Sequence, residues 1–172
     1  MKIFNILILI SIIPLVGVML LILIPGRYNS YCFNAALFIS SLTFILSLIM
    51  WLIFDFGHNS FQFLCTIDWL PAFNFYYTVG VDGISLFFLI LTTFLIMVCV
   101  LISWGSINYR LKEYLINFLL LEFLLIQVFS VLDLLLFYVF FESILMPMFL
   151  IIGIWGSRER KIWAAYQFFC IH

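Results

Sequence analysis

Five apolar runs divide this chain, each close to the length that crosses a bilayer, and a sixth run begins near the end. A hydrocarbon core about 30 Å thick takes about 20 helical residues at a rise of about 1.5 Å each. The runs predict membrane spans over residues 6–24, 34–54, 84–104, 114–129 and 133–155, with a partial sixth over 161–172. Pro14 falls inside the first span, where membrane helices tolerate it, and Pro25-Gly26-Arg27 ends that span. The second span carries Ser40, Ser41, Thr43 and Ser47, small polar residues that let helices approach closely. Between the second and third spans the period changes. Phe61, Phe63, Cys65, Ile67 and Trp69 alternate with Gln62, Leu64, Thr66 and Asp68, a period of two that predicts a strand. Pro71-Ala72 marks a turn and residues 73–79 return as a second strand. Aromatic residues crowd this stretch (Trp69, Phe73, Phe75, Tyr76, Tyr77), as they do at membrane interfaces. The pattern therefore predicts an all-α polytopic membrane protein. One transmembrane domain takes up residues 1–172, with a short interfacial β-hairpin between helices two and three.

Composition supports the membrane assignment: 67% of residues are hydrophobic and 9% charged, whereas soluble domains carry about 25% charged residues. A net charge of −1 gives no basis for a nucleic-acid partner. Cys32, Cys65, Cys99 and Cys170 are widely spaced without a C-x-x-C pair, and His58 and His172 are solitary. Neither a disulfide framework nor a metal site is expected. The abundance of Phe (22 residues, against 8 Gly) is what an AT-rich organellar genome would produce. The amino terminus lacks the Arg- and Ser-rich amphipathic character of a transit peptide. No small-residue cleavage site precedes Pro25, so the first span is expected to be retained. Arg27, then Arg110 and Lys112, then Arg158, Arg160 and Lys161 fall in alternate loops, with only Lys2 opposite them. By the positive-inside rule, the amino terminus and the hairpin face outward. Arg158, Arg160 and Lys161 are candidates to contact anionic phospholipids such as cardiolipin, each basic residue contributing about 1 kcal/mol near such a surface.

Two acids stand out within the spans. Glu142 lies near the middle of the fifth, followed by Pro147. A charge at that depth costs at least ~3 kcal/mol on insertion scales, so such a residue normally faces a protein interior or a water file. Pro147 has no N–H to offer the Ser143 carbonyl, which leaves a free acceptor and a kink beside Glu142. In the fourth span, Glu122 lies about 12 Å in from Tyr114, while Glu142 lies about 13 Å in from Asp133 and enters from the opposite side. Two carboxyls at one depth on adjacent antiparallel helices read as a proton relay. The competing reading is a pair of neutral, hydrogen-bonded structural carboxyls. Pro147, Asp82 and Asp133 are assigned structural roles, Asp82 as the N-cap of the third helix.

The strings VGVDGISLFFLILTTFL, EYLINFLLLEFLLIQVF, LDLLLFYVFFESILMPMFLIIGIWGSRERK and AAYQFF resemble the antiporter-like membrane subunits of respiratory complex I, NADH:ubiquinone oxidoreductase, and among them the subunit 4 family. The resemblance is strong over residues 80–169 and mainly positional before that. It implies a share in redox-driven proton translocation at the mitochondrial inner membrane, in a multi-pass chain with its amino terminus toward the intermembrane space. Glu142 matches the family's fifth-helix acid, which pairs with a lysine on a broken seventh helix, and Glu122 matches an acid common in the fourth. The resemblance implies no flavin, iron–sulfur cluster or quinone in this chain; those groups are expected elsewhere in the complex. Implied partners are the other membrane-arm subunits, including the neighbouring antiporter-like ones. The family's lysine-bearing helices do not occur within these 172 residues, so a second chain is expected to supply the rest of the subunit. The alternatives are a subunit of a multi-subunit cation/proton antiporter, and a truncated subunit kept only as a structural part of the membrane arm.

Overall fold

Backbone N–H and C=O groups in hydrocarbon must pair within the protein, and the apolar runs of this chain meet that demand as helices. The computed structural model describes residues 6–57, 60–73, 75–107, 109–155, 167, 170 and 171. Among them are five helices of membrane-crossing length: α1 (Ile6–Leu23), α2 (Asn29–Ile53), α3 (Gly83–Ser106), α4 (Leu111–Ser130) and α5 (Leu134–Trp155). Strands β1 (Gln62–Leu70) and β2 (Phe75–Val81), joined by a 3-10 turn at Pro71–Phe73, form an antiparallel two-stranded sheet between α2 and α3. This is the mostly helical membrane architecture with one small hairpin that the pattern of apolar residues predicts.

Two helices begin earlier than their apolar runs suggest. α2 starts at Asn29 and α4 at Leu111, so Lys112 belongs to a helical turn and not to a loop. Apolarity marks only the hydrocarbon depth, whereas the backbone stays helical into the interface, where long polar side chains reach back to partners. Lys112 Nζ donates to the Ile22 carbonyl at 3.1 Å, one of the carbonyls that the end of α1 leaves without a helical partner. The residues assigned to a partial sixth helix, and with them Arg158, Arg160 and Lys161, lie outside the described residues, apart from helical Gln167, Cys170 and Ile171.

α4 packs against α1, α2, α3 and α5 and also meets β2. α1 approaches its neighbours tightly at Gly17, where an added Cβ would lie 2.8 Å from Ile39 Cγ2 and 3.1 Å from Leu119 Cδ1. Glycine here lets α1 come close to α2 and α4 together, as small residues do in membrane bundles. Across the α2–α3 contact, the buried hydroxyls of Ser47 and Thr93 share a hydrogen bond of 3.0 Å. Other buried hydroxyls bond back to their own helices: Ser11 to the Ile8 carbonyl, Thr43 to Ile39 and Ser103 to Val100.

The hairpin is tied to one end of this bundle. Between two register shifts, Cys65 pairs with Val79 and Ile67 with Tyr77, which puts these four residues on one face. Cys65, Tyr77 and Val79 on that face pack against Leu7, Ile10, Met50 and Leu89. The strand β2 also engages the α4–α5 turn: Val79 bridges Val131, and the Leu132 N–H donates to the Thr78 carbonyl at 2.9 Å.

The Gly17 contact generates a stability prediction. Gly17→Ala should destabilise the bundle by about 1–3 kcal/mol, the usual cost of overpacking, and lower the thermal midpoint of the solubilised protein. Gly153→Ala, where an added Cβ meets nothing within 4 Å, should leave the midpoint unchanged or raise it.

Candidate functional site

Helix α4 presents Leu115, Leu119, Glu122 and Ile126 along one face, and all four are fully buried. Spacings of three and four residues stack such side chains on one side of a helix, and this side looks into the space enclosed by α1, α2 and α3. Glu122 is 0% exposed, and neither carboxyl oxygen has a hydrogen-bond partner among the described residues. A buried acid without partners carries a desolvation cost of about 1–3 kcal/mol or more, so a single Glu at this point is the most demanding residue in the bundle.

Glu142 sits in a different environment. It is half-buried on α5, the least covered of the five helices, and makes no hydrogen bond or ion pair with a described residue. Its neighbours Phe141 and Met146 are exposed. Pro147 is buried inside α5. The Ser143 hydroxyl donates backward to the Val139 carbonyl at 2.7 Å, while the Ser143 carbonyl faces the proline that cannot donate to it.

The two acids lie at one depth. Glu122 stands eight residues before the end of α4 at Ser130, and Glu142 eight residues after the start of α5 at Leu134. Each is therefore about 12 Å from the hairpin end. Side-chain contacts fix the same alignment: Phe123 meets Phe140 edge-on with ring centroids 6.5 Å apart, and Tyr114 meets Trp155 at 5.2 Å. The arrangement can hold one proton site enclosed in protein and a second at the same level on a helix open to a partner.

The remaining sequence candidates lie at helix starts. Asp82 is the N-cap of α3, its carboxylate accepting from the Gly83 N–H at 2.7 Å. Asp133 precedes α5 and accepts from the Leu135 N–H at 2.9 Å. Residues missed by sequence reasoning lie toward the hairpin end of α4. Gln127 is 3% exposed and accepts a hydrogen bond from the Tyr77 hydroxyl; Ser130 is buried, its hydroxyl unpartnered among the described residues. Burial pushes the Tyr77 phenol above its ordinary range. A Gln inside an apolar span was the available signal, but its partner on β2 is fifty residues away and no local pattern links them. Among the described residues no group of His, Cys, Asp or Glu has the arrangement of a metal site.

A curated relative named NADH-ubiquinone oxidoreductase chain 4, from Chondrus crispus, is 63% identical over 169 residues, covering 98% of this chain and 34% of the relative. A relative of the same name from Arabidopsis thaliana is 53% identical over 156 residues, covering 91% of this chain and 32% of its own. The chain belongs to the NADH-ubiquinone oxidoreductase chain 4 family. It spans about a third of the length of the curated chain 4 relatives it matches. A family model described as NADH:quinone oxidoreductase/Mrp antiporter, transmembrane, matches residues 131–172, which include Glu142 and Pro147. Among solved structures, a chain of respiratory complex I from Thermus thermophilus with bound NADH superposes with a TM-score of 0.76 at 28% identity. That match covers 93% of this chain and 31% of the other. This chain 4 family member is thus a multi-pass membrane protein.

The link between the hairpin and the site is open to test. Tyr77→Phe removes the donor to a buried Gln127 oxygen and should cost about 1–3 kcal/mol locally. The expected result is faster amide hydrogen exchange over residues 75–81, with exchange in α1 and α2 unchanged.

Proposed function

We propose that this chain is part of a membrane-arm subunit of complex I and contributes to proton translocation coupled to oxidation of NADH by ubiquinone. The observation that carries this reading is the pairing of Glu122 and Glu142 at one depth on neighbouring antiparallel helices, one wrapped in protein and the other half-exposed. Glu142 is the primary proton-transfer group. A lysine ammonium from outside residues 1–172, whether on a second polypeptide or on further sequence of the same one, approaches it directly or through water. When the ammonium is near, the ionised carboxylate is favoured; when it withdraws, the protonated form is favoured, so a change in distance loads or empties the site. Glu122 is the next acidic station. The Ser143 carbonyl freed by Pro147 offers a water an acceptor beside Glu142. The redox steps, with the flavin, iron–sulfur clusters and quinone they need, belong to other subunits of the complex, and the membrane-arm subunits are this chain's partners. The setting is the mitochondrial inner membrane, with the amino terminus toward the intermembrane space. The name shared by the chain's relatives supports this reading over a subunit of a free-standing cation/proton antiporter.

Glu142→Gln tests the proposal, because it nearly preserves shape while removing the exchangeable charge. The variant complex should assemble normally. Its proton pumping driven by NADH should fall by about 10²-fold or more, the lower bound of what positioned proton transfer contributes. Glu122→Gln should give a smaller loss in the same direction. Wild-type pumping rate and proton-to-electron ratio in Glu142→Gln would make that residue structural and end the proposal.

A further inference from the structure

The apolar core of this bundle is split in two along the helix axes. Leu119 of α4 belongs to one cluster with Ile39 and Leu115; Ile126 of α4 belongs to the other with Leu7, Ile10 and Met50. Glu122 lies between Leu119 and Ile126 on the same buried face, at the division between the clusters. What stands opposite it follows from the packing. Gly17 of α1, Ile39 of α2 and Leu119 of α4 meet in one contact and so share a level. The Lys112 bond to the Ile22 carbonyl, on the other side of that level, confirms that α1 and α4 run antiparallel with this offset.

One turn from this level toward the hairpin end, α1 brings Pro14, α2 brings Thr43 and α4 brings Glu122. These are three, four and three residues along their helices, so their depths agree to within about 1.5 Å. All three are buried, Thr43 and Glu122 completely. Each brings an unused hydrogen-bonding capacity. Pro14 has no N–H, so the carbonyl of Ile10, itself 0% exposed, lacks its helical donor. The Thr43 hydroxyl donates to the Ile39 carbonyl at 2.9 Å and keeps its lone pairs. Both oxygens of Glu122 are unpartnered among the described residues. Lone orphans of this kind are rare in proteins; here three helices place them in one layer.

We propose that Glu122, the Ile10 carbonyl and the Thr43 hydroxyl form a buried water site that joins α1, α2 and α4. Water bound there donates one O–H to the Ile10 carbonyl and the other to Thr43 Oγ or a Glu122 oxygen. It accepts from the Glu122 O–H when that carboxyl is protonated. These partners supply the two to four bonds that a buried water typically makes. Pro14 then has a positive role: the break in α1 provides the acceptor that anchors the water facing Glu122. The site rests on the packing of three helices, and it stands whether or not Glu122 takes part in pumping.

Infrared spectroscopy of the intact complex tests this proposal. The Glu122 carboxyl or carboxylate band is assigned as the one lost in Glu122→Gln. In the wild-type complex, exchange into heavy-oxygen water should shift an isolated water O–H band, and that band should be missing in Glu122→Gln. Pro14→Ala restores the N–H that occupies the Ile10 carbonyl, and Thr43→Val removes the hydroxyl at nearly constant volume. Each should shift the Glu122 band and shift or abolish the water band. Ser103→Ala, which removes a buried hydroxyl bonded to the Val100 carbonyl, should change neither. A Glu122 band at its wild-type position in Thr43→Val, or a wild-type complex with no water band that depends on Glu122, would overturn the proposal. If Pro14→Ala fails to assemble, Thr43→Val decides alone. Pumping by Glu122→Gln bears only on the relay, so the two readings fail separately.

Discussion

Helix α4 carries more polar groups than lipid can accept, and the arrangement of the other elements follows from that constraint. Glu122, Gln127 and Ser130 all lie on it, and all are buried. In hydrocarbon each unsatisfied polar group costs several kcal/mol, so a helix with this composition must be enclosed by protein. Of the five membrane-length helices α4 is the least apolar and the most buried. α1, α2, α3 and α5 surround it, and β2 covers its far end with Tyr77 and Val79. α1, α2 and α3 can expose Leu, Ile and Phe to lipid because buried hydroxyls on them bond back to their own helix carbonyls.

Enclosure separates two acids that the sequence makes look equivalent. Each occurs once within an apolar run, and each is at mid-depth. The structure gives Glu122 an interior without a cation among the described residues and gives Glu142 a half-open face on the least covered helix. An acid in the first setting is insulated and answers only to its immediate shell. One in the second answers to whatever packs against α5. In the proposed relay, it is this difference in surroundings that lets the two acids take different roles.

The helices and the hairpin were legible because their signals are local. Apolar runs give the spans, and the alternation from Phe61 to Trp69 gives β1. The starts of α2 and α4 were less legible, because Asn29 and Lys112 are polar residues in helical turns beyond the hydrocarbon. The acids were legible as isolated charges, and their common depth followed from counting residues. Their different exposure was not, since it depends on which face of α4 meets α1, through the small side of Gly17 and the bulk of Leu119. Pro14 read as a tolerated irregularity and Thr43 as a packing residue. Only the alignment of three separate helices puts both at the level of Glu122.

α5 is held at both ends. At one, Val131 and Leu132 are bonded to β2; at the other, the Trp155 indole donates to the Tyr109 carbonyl at 2.7 Å and its ring leans on Tyr114. A rod clamped at both ends cannot swing; it can only bow, and it bows where it is weakest. In α5 that place is the missing rung at Pro147, one turn from Glu142. Any displacement of the acid in the proposed proton transfer is then a lateral flexing at the middle of the helix, with its ends as fixed bearings.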